Sequence, residues 1–268
     1  MKQMKKLTAL LLAATMVLAL CACSTTAPSE DGEPAAFTTV EEGKLHMSTN
    51  AAFPPYEMTT DDGGFEGIDV EVAEAIAGKL GLELVVDDMA FTAALTAVQN
   101  GQSDIAMAGI TVRPDRLEVM DFSDTYATGI QVIIVNEGSS IQSVDDLSNA
   151  EMIGCQAGTT GYEYCAADPE DDGYGADHVT AFDTGALAVT ALINGQVDAV
   201  VIDNEPAKVY VSNNPGLVIL DTEFANEDYA IGFQKGNDAL REAVNAAIAE
   251  LKADGTFQDI VDKYIKAD

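Results

Sequence analysis

The sequence predicts an α/β fold built by repeated strand–helix winding, and three observations carry that expectation. Short apolar runs bounded by turn residues, such as Ile105–Ala108 after Asp104, have the length and composition of buried parallel strands. Between such runs lie segments with apolar residues at helical spacing. The clearest holds Val72, Ala73, Ile76, Ala77 and Leu80 and is stopped by Gly81. The chain also repeats itself: Ala97-Val98-Gln99-Asn100-Gly101-Gln102-Ser103-Asp104-Ile105-Ala106 returns as Ala191-Leu192-Ile193-Asn194-Gly195-Gln196-Val197-Asp198-Ala199-Val200, an offset of 94 residues. Each copy joins a helix end, a glycine stop and a buried strand, so two similar halves are expected.

The amino end stands apart from that fold. Lys2, Lys5 and Lys6 precede an apolar run from Leu7 to Leu20, the plan of a secretory signal and too short for a membrane span with normal margins. The run ends in Leu20-Cys21-Ala22-Cys23-Ser24, which looks like a bacterial lipobox with Cys23 as the modified cysteine. Lipidated there, the mature protein hangs from the membrane by acyl chains. The signal is thus residues 1–22. Residues 23–43, rich in Ser, Thr, Pro, Ala and Glu without apolar periodicity, are expected to form a flexible tether. Some 20 such residues have a typical reach of roughly 25 Å.

Charge narrows the partners. The chain carries 45 acidic and 13 basic side chains, and removing residues 1–22 removes three lysines and no acid. Nucleic acid and bare anionic lipid are poor partners for such a body, because like charges repel. Cys155 and Cys165 leave both a disulfide and two buried thiols open. His46 and His178 lie far apart, and no metal-ligand spacing or cofactor motif is visible.

In order, the body reads as a strand at Lys44–Thr49, a loop through Asn50 to Glu57, a helix from Val70 to Leu80, a strand at Leu82–Val86 and a helix at Thr92–Gln99. The strand after Asp104 exits through Gly109 and Thr111 towards Arg113 and Arg116, two of the three arginines in the chain. Ligands gather beyond the carboxyl ends of parallel strands. The matching strand of the second half exits at Asp203, so facing exits place a cation on one wall of a cleft and a carboxylate on the other. Gly158-Thr159-Thr160-Gly161 opens a short helix from about Tyr162, and its N–H groups suit an anion.

From Leu45 onward the chain resembles the polar amino-acid-binding proteins of bacterial ABC importers, the extracytoplasmic solute-binding family 3. The residues that carry the resemblance are Asn50 to Glu57, Phe65 to Val70, Gly109 to Arg116, Asp121-Phe122-Ser123-Asp124 with Tyr126, Gly158-Thr159-Thr160, Asp203 and Tyr229-Ala230-Ile231. It implies a two-lobed periplasmic-binding-protein type II fold that closes on ligand like a flytrap. Lobe 1 comprises residues 44–131 and 230–268, lobe 2 residues 134–226, and the hinge strands about 129–135 and 226–233.

The resemblance also implies roles. Arg116 matches the arginine that grips the ligand α-carboxylate in a bidentate fork, and Thr111 and Thr160 match positions that add hydroxyl or backbone N–H contacts. Gly109 and Asp203 match the acceptors of the α-ammonium, and Phe53 and Phe91 the aromatic pair around the side chain. Thr159 belongs to the same anion-binding turn, and Arg113 reads as a surface residue. Asn50 and Gln156 stand where relatives carry charge, which favours a neutral polar ligand, while Glu57 leaves a cationic one open.

The function implied is capture of a polar L-amino acid outside the cell and delivery to an ABC permease, by a lipid-anchored monomer that is not an enzyme. Two alternatives stand beside it. One is a sensory module that presents ligand to a receptor. The other is a dehydratase-type enzyme on the same scaffold, for which Glu57 or Asp203 would have to serve as acid or base.

Overall fold

A computed structural model of the chain describes residues 37–221 and 224–266. The expected signal peptide, the lipobox cysteine Cys23 and the tether as far as residue 36 lie outside the described residues. From Phe37 the chain rests on the body. Phe37 packs on the core, and the Val40 N–H donates to Asp104 Oδ1 at 2.7 Å.

The first part of the body opens with β1 (Lys44–Thr49), the small antiparallel sheet β2 (Ala52–Phe53), β3 (Glu57–Thr59) and β4 (Phe65–Glu66), and α1 (Ile68–Leu80). It continues through β5 (Glu83–Asp88), α2 (Phe91–Gln99), β6 (Ile105–Ala106), α3 (Pro114–Val119) and β7 (Met120–Phe122). Helix α1 forms where the apolar spacing predicts it. Its face of Ile68, Val72, Ala73, Ile76 and Ala77 is buried, each large aliphatic side chain contributing about 1.5–3 kcal/mol. Gly81, at φ 71° as the cap beyond its last turn, ends it.

A second sheet follows: β8 (Ala127–Asn136), β9 (Ile153–Gln156), α4 (Thr160–Ala166), β10 (Val179–Phe182), α5 (Gly185–Ile193), β11 (Ala199–Asp203), α6 (Asn204–Asn213), β12 (Leu217–Ile219) and β13 (Ala225–Tyr229). The chain then returns through β14 (Gly232–Gln234) to the first sheet and closes with α7 (Asp238–Asp254) and α8 (Thr256–Tyr264). Strand order is β5-β1-β6-β14-β7 in one sheet and β10-β9-β11-β8-β12 in the other, with β13 also on β8.

Parallel pairing is confined to β1 with β5 and β6, and to β9 with β10 and β11. Strands β14 and β8 enter antiparallel, so both sheets are mixed rather than purely wound. The reason is topological: these strands belong to the two passages between the halves, and a passage cannot keep the winding direction. The passages run side by side. The Ser123 N–H donates to Ile231 O at 2.9 Å and the Tyr126 N–H to Tyr229 O at 3.0 Å.

The internal repeat is visible at atomic level. Asn100 and Asn194 end α2 and α5 at φ, ψ of −88°, 1° and −82°, 0°, and Gly101 and Gly195 both follow at φ 67°. Asp104 and Asp198 play one part in each half. Asp104 accepts the His46 N–H at 2.7 Å, and Asp198 accepts the Met152 N–H at 3.0 Å, each fastening the start of the neighbouring strand. The architecture is two lobes, each an α/β layer around its own sheet, joined by two adjacent connections.

Candidate functional site

All ten residues expected to meet a ligand line one cavity, which holds about 340 Å³ of empty space. Asn50, Phe53, Phe91, Gly109, Thr111 and Arg116 come from the five-stranded half; Gln156, Thr159, Thr160 and Asp203 come from the other. Ala108 and three residues outside the expected set, Glu57, Gln131 and Glu227, complete the wall.

Arg116 is positioned by α3, whose first residue, Pro114, suits a helix start. Its side chain is buried. Nη1 donates to Thr111 O at 2.8 Å and Nη2 to Gly158 O at 3.0 Å, taking up two of its five N–H donors. The guanidinium carbon lies 5.5 Å from the centre of the Phe91 ring. Burial, and then the neighbouring Arg113, push its pKa down to about 10, which keeps it charged at neutral pH. Arg113 pairs with Asp115 through Nε at 3.0 Å and Nη2 at 2.7 Å, outside this cavity.

Gly109 sits at φ 54°, a backbone conformation that favours glycine, and a Cβ there would stand 2.8 Å from Phe53 Cε1. Its N–H donates to Asp69 Oδ2 at 3.1 Å. Tyr126 Oη donates to both Asp69 oxygens at 2.8 Å, and burial raises the Asp69 pKa to about 6.

Thr159 caps α4, its hydroxyl accepting the Tyr162 N–H at 3.3 Å, so the helix begins at Thr160, two residues before the expected Tyr162. The cleft is closed. Arg116 reaches Gly158, Gln156 Nε2 donates to Asn50 Oδ1 at 2.9 Å, Thr160 Oγ1 donates to Thr111 Oγ1 at 3.1 Å, and Tyr210 Oη donates to Ala52 O at 3.1 Å.

Three carboxylates line the same cavity as Arg116. Asp203 ends β11 and accepts the Tyr229 hydroxyl; burial, and then Glu227, raise its pKa to about 7. Glu227, on β13, is 5% exposed and accepts Thr111 Oγ1 at 2.8 Å and Gln131 Nε2 at 3.2 Å on the same oxygen. Glu57 is 0% exposed, and no N–H or hydroxyl donor among the described residues reaches either of its oxygens; its polar neighbour is the Asp69 carboxyl, to which only a protonated Glu57 can donate. Burial, and then the Asp69 carboxylate, hold its pKa well above the ordinary carboxylate range. Glu57 reaches the cavity because β3 folds back on β2, pairing Phe53 with Glu57.

Gln131 and Glu227 lie on the paired strands β8 and β13, where Gly129 faces Glu227. A polar residue inside the apolar run Ile130–Val135 was the signal for Gln131. No comparable signal exists for Glu227, since Asn226, Glu227 and Asp228 are all polar and only the register selects one. Cys155 and Cys165 are unbridged buried thiols, and Cys155 Sγ donates to Gly161 O at 3.6 Å.

Two lobes closing over a cavity with a buried arginine from one lobe and the carboxylate of Asp203 from the other define a solute-binding protein of the periplasmic-binding-protein type II fold. Residues 45–267 match the bacterial extracellular solute-binding proteins, family 3, and the chain belongs to that family. It is 32% identical over 265 residues to a probable histidine-binding protein of Neisseria gonorrhoeae, covering 97% of this chain and 96% of that one. It is 32% identical over 267 residues to the arginine-binding extracellular protein ArtP of Bacillus subtilis, covering 97% and 98%. Among solved structures, an ancestral arginine-binding protein bound to arginine superposes with a TM-score of 0.77 at 38% identity, covering 83% of this chain and 98% of that one.

Proposed function

We propose that this protein captures a cationic L-amino acid outside the cell, with an arginine-like side chain fitting best, and delivers it to an ABC permease. The observation that carries the choice of ligand is Glu57: a fully buried carboxyl on the cavity wall whose two oxygens meet no N–H or hydroxyl donor among the described residues. A buried acceptor left unpaired is costly, and a guanidinium supplies paired N–H donors in matching geometry. This revises the expectation of a neutral ligand. Asn50 and Gln156, whose lack of charge prompted it, are bonded to each other across the cleft.

In this reading Arg116 and the backbone N–H groups near Thr111 and Thr160 hold the α-carboxylate. Asp203 and the Gly109 carbonyl receive the α-ammonium, Phe53 and Phe91 flank the side chain, and Thr159, Asn50 and Gln156 shape the wall. In this reading the site binds and releases its ligand unchanged. The protein is a monomer on a lipid anchor at Cys23, with residues 44–131 and 230–268 forming one lobe and 134–226 the other. The relatives named for histidine and arginine support this reading.

A melting-point screen against the twenty amino acids tests it, since a ligand that binds only the folded form raises the midpoint. Arginine, lysine or histidine is expected to give the largest rise. A rise confined to neutral amino acids overturns the cationic assignment.

A further inference from the structure

Glu227 has no part in the expected clamp, yet hydrogen bonds from both halves of the molecule lead to it. Thr160 Oγ1 donates across the cleft to Thr111 Oγ1 at 3.1 Å, and Thr111 Oγ1 donates to Glu227 Oε2 at 2.8 Å. Gln131 Nε2, on the strand paired with β13, donates to the same oxygen at 3.2 Å. A threonine hydroxyl has one proton to give. Thr111 can offer a lone pair to Thr160 because its own proton points at Glu227 Oε2. Glu227 is 5% exposed, so it cannot turn to solvent and release that proton.

The two links of this chain differ in kind. Thr111 and Glu227 are fixed to each other by backbone: the Val112 N–H donates to Asp228 O at 3.0 Å, and Thr111 bridges Tyr229. The Thr160 link joins α4 of the second half to the first, and so is the link that closing creates.

We propose that Glu227 is a positioning residue for cleft closure. From the passage between the lobes it sets the direction of the relay Thr160→Thr111→Glu227, which latches the lobes together independently of the ligand's own contacts. With both hydroxyl protons committed to the relay, the ligand carboxylate is left to Arg116 and backbone N–H groups. The inference rests on the ligand reading only in using arginine as a reporter.

The test is a cycle of Glu227→Gln, Thr160→Val and the double variant in the full-length protein, reading the dissociation rate of L-arginine by stopped flow. Each single variant is expected to raise the rate about tenfold, as for loss of a hydrogen bond to a charged group. The double variant is expected to be no faster than the faster single one, because both break one relay. Independent effects that multiply to about a hundredfold overturn the proposal. Should Glu227→Gln fail to fold, Thr111→Val takes its place in the cycle and must match Thr160→Val alone and in combination; rates that multiply overturn it. If arginine does not bind the wild type, the ligand reading fails while the latch is still tested. Small-angle scattering of ligand-free protein must then show a larger radius of gyration for Thr160→Val than for wild type, and an unchanged radius overturns the latch.

Discussion

Replacing Glu57 by Gln keeps the shape of the side chain and removes its charge, which makes it the most informative single change in the site. In the wild type the carboxyl is fully buried, and no N–H or hydroxyl donor among the described residues reaches either oxygen. A guanidinium docked there gains charge-assisted hydrogen bonds worth about 1.5–3 kcal/mol, and stripping the charge from a buried pair costs about 3–5 kcal/mol. Taking about 3 kcal/mol, arginine affinity should fall roughly a hundredfold. An uncharged glutamine ligand should lose less than a few-fold, since an amide can both give and accept. Titration calorimetry with the two amino acids, on wild type and variant, reads this as a ratio that general destabilisation cannot mimic. Equal losses for both ligands, or an unchanged arginine affinity, would refute the reasoning. The same pair predicts proton release. Burial and Asp69 raise the Glu57 pKa in the absence of a cation, and a bound cation lowers it, so arginine binding expels a proton and tightens as pH rises through the ligand-free pKa. Titrations in buffers of different ionisation enthalpy measure that proton directly.

Other outcomes follow from neighbouring residues. Arg116→Ala leaves carboxylates facing an unneutralised cavity and should weaken binding by about two to three orders of magnitude in calorimetry. Gly109→Ala places a methyl group against Phe53 in a left-handed backbone, so it should lower the melting midpoint by an amount matching about 1–2 kcal/mol and weaken binding as well. Asp203 and Asp69 have folded-state pKa values raised to about 7 and about 6. The folded protein therefore holds protons that the unfolded chain releases, and their contribution to stability grows as pH falls from about 8 to 5. Ligand-free protein should melt higher at pH 5.5 than at pH 8 in calorimetric scans, and saturating arginine should flatten that trend.

The sequence disclosed the scaffold better than the pocket's chemistry, and the reason lies in what each depends on. Helix α1 and the twin stops at Asn100-Gly101 and Asn194-Gly195 are local: apolar spacing and a left-handed glycine decide them within a few residues. Strand β14 was less legible, because three residues running antiparallel beside β6 take their direction from a passage between lobes, not from their own composition. The proposed ligand class turns on the same distinction. Asn50 and Gln156 are uncharged in the sequence, but only coordinates reveal that they bond to each other. Glu57 and Glu227 are two acids among 45 acidic side chains, and a strand register, not a motif, turns them inward.

Asp104 has a mechanical consequence. Its two oxygens grip the backbone at Val40 and at His46, so the incoming chain is riveted to the five-stranded lobe before β1 is complete. A pull exerted from upstream of Phe37 would therefore meet the Asp104 contacts of the five-stranded lobe first. If the protein is anchored at Cys23 as proposed, movement of the six-stranded lobe would leave that attachment undisturbed.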